Sequence, residues 1–143
     1  MKRTIFALVA GFVVWGLVAT LINFGLRAGL PGYTQAEPTL NFTLGMKAAR
    51  LILGALASLA AGATAGSIAP SRRSVPWVLG SIILALFIPV HIQLWAKFPI
   101  WYHLTFLLTL VPLVGLGAAL TRNRASKGSP GPVRNIPAST VSS

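Results

Sequence analysis

The stretch RLILGALASLAAGATAG, Arg50 to Gly66, decides how the chain folds. From Gly54 to Ser67 every residue except Leu56 and Leu59 is Gly, Ala, Ser or Thr. Within it Gly54, Ser58, Gly62 and Gly66 recur at every fourth position. In lipid, small residues at that spacing let two helix backbones approach closely. So thin a helix cannot fill space alone. The stretch therefore predicts a central helix with others packed on it, and a packing partner such as a second copy or another membrane protein.

Composition supports a membrane setting. Of 143 residues, 55% are hydrophobic and 9% charged, against roughly 25% charged in soluble domains. That leaves too little polar surface to cover a water-soluble globule. Twelve Lys+Arg stand against one acid, Glu37, for a formal charge of +11. The cations sit mostly at the ends of apolar runs, which speaks for orientation in a bilayer rather than for nucleic acid. The chain has no Cys, so disulfide and thiol chemistry are excluded.

Four apolar runs have membrane-spanning length. They predict an all-α membrane protein, a four-transmembrane-helix bundle over residues 1–121 with helices near 5–26, 44–69, 76–95 and 100–121. The first run, after Met1-Lys2-Arg3-Thr4, is longer than the usual signal-peptide core and lacks a clear cleavage site. It reads as an uncleaved helix, with Ala7 and Gly11 as a packing face. The connection from Arg27 to Thr43 reads as a polar loop. Leu30-Pro31-Gly32 suggests a turn, Glu37-Pro38 suggests a helix break, and Thr39 or Asn41 suggests a cap for the next helix. Asn41-Phe42-Thr43 matches a glycosylation sequon, but capping accounts for it more simply. Pro89 and Pro112 fall inside the third and fourth helices, where neighbours in a bundle can re-satisfy the freed carbonyls. Residues 122–143, basic and rich in Ser, Pro and Gly, predict a disordered cytoplasmic tail.

Basic residues concentrate at the amino end, in the turn holding Arg72 and Arg73, and in the tail. The positive-inside rule then places both termini in the cytoplasm, as in a multi-pass protein of a bacterial inner membrane. The turn around Lys97 falls on the outer side.

Arg50 is the residue that most invites a function. It lies about seven residues into the second helix, roughly 10 Å from its start. A charge at that depth is costly and marks a candidate site, unless the long side chain snorkels to the headgroups. Lys47 snorkels more easily. His91 and His103 lie six residues either side of Lys97, which gives them similar depth in an antiparallel hairpin. Two imidazoles without Cys, Asp or Glu make an incomplete zinc site.

Catalysis finds little to work with. Glu37 is the sole carboxylate, no helix carries an acid for proton relay, and no phosphate loop occurs. No catalytic residue, metal or cofactor is expected, and the chain reads as non-enzymatic. The first reading is a helix-packing subunit or homo-oligomer. A second is a binding or carrier protein for an anionic amphipathic ligand or lipid, held by Arg50, His91, His103, Lys47 and Arg27. A third is a metal- or haem-binding membrane protein using the histidine pair.

Overall fold

The computed structural model describes residues 1–127, with side chains to residue 123. Among the described residues there are five helices and no strand: α1 Lys2–Gly29, α2 Tyr33–Thr39, α3 Leu44–Ile68, α4 Val75–Gln93 and α5 Ile100–Lys127. Four of them, α1, α3, α4 and α5, are long and apolar enough to cross a membrane. Their length and composition are those of an integral membrane protein built as a helix bundle.

The small-residue helix is the hub. α3 packs along both α1 and α5. Gly54, Ser58, Gly62 and Gly66 are all buried, and so are Ala57, Ala61 and Ala65 on an adjoining stripe. A Cβ on Gly62 would overlap the Val114 carbonyl oxygen and lie 2.7 Å from its carbon. A Cβ on Gly66 would sit 2.8 Å from the Ala118 Cα. From the other side, a Cβ on Gly117 would overlap the Leu59 carbonyl oxygen. Helices α3 and α5 thus meet backbone to backbone. The alanine stripe joins Ala7 of α1 and Leu79 of α4 in one core, where Gly11 admits the close approach of α1. The stripe that suggested an external partner is taken up inside the chain.

Several local expectations are corrected. The connection expected as a loop contains α2. Gly32, at φ 78°, turns the chain back, and Tyr33 and Ala36, three apart on one helical face, are buried. Pro38 does not prevent this helix, because it is the penultimate residue and its missing N–H costs one bond at the very end. Leu40, at φ 59°, then ends it. The cap of α3 is Thr43, not Thr39 or Asn41: its hydroxyl accepts from the Met46 N–H at 3.3 Å. Residues 122–127, expected in the tail, continue α5, since no Gly or Pro precedes Gly128 after Thr121 to stop it. The remainder of the expected tail lies outside the described residues.

Candidate functional site

At the end of the bundle that carries α2, the four long helices line a cavity of about 500 Å³. Its wall is divided by depth. Near α2 it is polar, with Asn23 and Arg27 of α1, Glu37 of α2, Arg50 of α3, His91 of α4 and Tyr102 of α5. One to two turns further in it is apolar, with Trp15, Leu53, Phe87 and Phe106. Thr20, Phe24 and Val90 on its rim are exposed. These three lie within α1 and α4, and Arg27, also exposed, lies at the polar end.

The packing already described shapes this floor. Gly54 lets the Phe106 ring lie against α3, where a Cβ would come within 2.7 Å of the ring edge. Ser58, one turn deeper, donates to the Gly54 carbonyl at 2.7 Å and accepts from Trp15 Nε1 at 3.2 Å. Trp15 in turn meets Phe87 edge to face, centroids 5.0 Å apart. The floor is held by contacts between all four long helices.

The polar end is a connected network. Arg50 Nη1 donates to the Tyr33 hydroxyl at 2.8 Å, and that hydroxyl donates to Asn23 Oδ1 at 2.9 Å. Asn23 Nδ2 donates to Glu37 Oε1 at 3.3 Å, while Arg27 Nε bonds Glu37 Oε2 at 2.7 Å. Helix α2 places Tyr33 and Glu37 in this chain of contacts. The Arg50 guanidinium also lies over the Phe42 ring, 4.8 Å from its centroid. Arg50 therefore turns inward rather than snorkelling to the chain's exterior.

Charge is unbalanced here. The one carboxylate is engaged by Arg27, and Arg50 has only neutral partners among the described residues. Its Nε is buried with no hydrogen-bond partner among them. The polar end thus holds two guanidinium groups and one carboxylate, an excess of one positive charge.

The histidines come together more closely than equal depth required. His91 Nδ1 and His103 Nδ1 are 2.7 Å apart, so one of them carries the hydrogen that both share. His91 lines the cavity; His103 is fully buried behind it, and its Nε2 has no partner among the described residues. Aromatic rings surround the pair. Phe106 lies 4.8 Å from His91, and Trp95 stacks on His103 at 4.9 Å and 15°. Rings bonded directly to each other leave no room between them for a haem macrocycle. Among the described residues no group of three or more His, Cys, Asp or Glu could hold a metal ion.

Of the expected ligand-binding residues, Arg27, Arg50 and His91 share the cavity, and His103 supports it from behind. Lys47 does not line it; its Nζ lies 6.0 Å from the centre of the Phe98 ring. The sequence reading missed Asn23, Tyr33 and Tyr102 and set Glu37 aside. Asn23 carried a signal, being a polar residue inside the first apolar run. Comparison with protein-family models, with curated proteins and with solved structures finds no match.

Proposed function

We propose that this is a non-enzymatic membrane protein that binds a singly anionic amphipathic molecule, with a carboxylate or phosphate-ester headgroup, in the cavity beside Arg50. The observation that carries this reading is Arg50 itself. It is a partly buried cation with neutral partners, at the polar end of a cavity whose other end is aromatic and whose lining includes exposed residues of α1 and α4. A charge inside a bilayer costs about 2.5–3.5 kcal/mol on insertion scales, and a bound anion offsets that cost. The ligand's apolar part would lie on Trp15, Phe87 and Phe106. A volume near 500 Å³ falls within the roughly 300–1,000 Å³ range of small-molecule sites. The exposed lining residues Thr20, Phe24 and Val90, within α1 and α4, suit entry from lipid. The rival reading as a packing subunit loses its main motive, since the glycine stripe is occupied by α5.

We also propose that both termini are cytoplasmic, in a bacterial inner membrane, which puts the cavity in the outer half. Eight of the twelve Lys+Arg support that side by position in the chain. The binding reading is tested by purifying the protein in mild detergent and identifying what it retains by mass spectrometry. Wild type should retain an anionic amphiphile in near-stoichiometric amount, Arg50→Lys less, and Arg50→Leu none. Lys lacks the planar fork that guanidinium offers to carboxylate or phosphate. Equal retention by wild type and Arg50→Leu would refute the assignment.

A further inference from the structure

We infer that the His91–His103 pair takes up a proton when the anion binds, so that binding at this site is coupled to pH. The inference rests on the binding reading above and concerns its regulation. The pair lies at the cavity wall with one face open and one closed. His91 Nδ1 is committed to His103, which leaves Nε2 as the ring nitrogen that His91 can offer to a ligand. His103 is closed off from solvent on all sides.

Three features make the pair a proton acceptor. The two rings already meet Nδ1 to Nδ1 at 2.7 Å, within N–H hydrogen-bond distance, so a proton added to either ring needs no rearrangement to be shared. An imidazolium on either ring donates to its neighbour's lone pair, so one added proton serves both residues. Aromatic faces at Phe106 and Trp95 attract a cation. With the proton on His91, its Nε2–H becomes a charged donor aimed at the ligand's headgroup.

The surrounding charges explain why proton and anion arrive together. Around the pair and the adjoining cavity are Arg27 from α1, Tyr33 and Glu37 from α2, Lys47 and Arg50 from α3, and Tyr102 from α5. Glu37 is bonded to Arg27 and Lys47 lies outside the cavity lining, so Arg50 is the uncompensated charge that shares the cavity with an added imidazolium. A bound anion cancels that charge and lowers the cost of the second cation. By linkage the proton then strengthens anion binding by the same factor. A fall in pH would load the site and a rise would release the ligand.

The probe is an alkyl sulfonate well below its micellar concentration, because its charge does not change with pH. Calorimetric titration of the full chain in neutral detergent, in buffers of different ionisation enthalpy, counts protons. Sulfonate binding should take up a fraction of a proton, at most one, and affinity should fall by up to about tenfold per pH unit on the alkaline side. In His103→Phe, binding should persist while the pH slope and proton uptake shrink, because a His91 imidazolium loses the lone pair to which its Nδ1–H would donate. Binding that depends on Arg50 but shows buffer-independent heats and constant affinity from about pH 5 to about pH 9 would overturn the coupling alone. Sulfonate that does not bind, or binds Arg50→Leu equally well, would overturn the binding reading and the coupling with it. The wild-type proton count decides the matter even if His103→Phe fails to fold.

Discussion

Replacing Gly62 by alanine adds one methyl group at the place where α3 and α5 touch. The new Cβ would overlap the Val114 carbonyl oxygen and lie 2.7 Å from its carbon and 2.9 Å from its Cα. All three atoms are backbone, so no rotamer change relieves the clash and α5 must move away from α3. Overpacking of this kind costs about 1–3 kcal/mol, and contact with a rigid backbone favours the upper half of that range. Alanine's better helix propensity returns about 0.8–1 kcal/mol. The expected net loss is therefore about 1–2 kcal/mol. Gly16→Ala is the matched control, because nothing lies within 4 Å of its added Cβ. It should be neutral or stabilising by up to about 1 kcal/mol. Equilibrium unfolding in mixed micelles with increasing dodecyl sulfate, followed by far-ultraviolet circular dichroism, measures both. Gly62→Leu should prevent assembly of the bundle, whereas Leu56→Ile, at an exposed position, should not. If Gly62→Ala and Gly16→Ala unfold alike, α3 is not the hub and the backbone contact does not exist.

Other consequences can be checked separately. Tyr33→Phe removes the hydroxyl between Arg50 and Asn23 and should destabilise by about 1.5–3 kcal/mol, the range for hydrogen bonds to charged groups, in the same unfolding assay; a neutral effect would mean the network is not formed. Glu37→Gln breaks the pair with Arg27, which is half-exposed, so stability should change by only about 0–1 kcal/mol. The same change frees a second guanidinium in the cavity and should tighten sulfonate binding; weaker binding would show that Glu37 itself contacts the ligand. A reporter fused after Arg124 should report a cytoplasmic location, and an exported signal would reverse the proposed orientation.

The bundle was legible because its signals are repetitive. Four long apolar runs and a stripe at every fourth residue survive any local error. What the stripe packs against was not legible: period reveals a thin helix but not whether α5 or another molecule covers it. Helix α2 was hidden because Pro31, Gly32 and Pro38 are all breakers in isolation. Its seven residues are held by burial of Tyr33 and Ala36, a tertiary effect that local propensity does not contain. At the site, symmetry about Lys97 matched the depths of His91 and His103. Their contact depends on rotation about each helix, and Pro89, two residues from His91, makes that rotation unreadable from spacing. Arg50 could be placed by depth but not by direction, because direction depends on the hydroxyl of Tyr33, supplied by the helix that was missed.

The central claim is that an anionic amphiphile lies between α1 and α4 with its headgroup on Arg50. Photolabelling tests it most directly, with an alkyl sulfonate bearing a diazirine partway along its chain, followed by peptide mapping. Labels should fall on residues lining the apolar end, Trp15, Leu53, Phe87 and Phe106, and should disappear in Arg50→Leu. Labels scattered over the outward faces of the helices, or unchanged in Arg50→Leu, would contradict it.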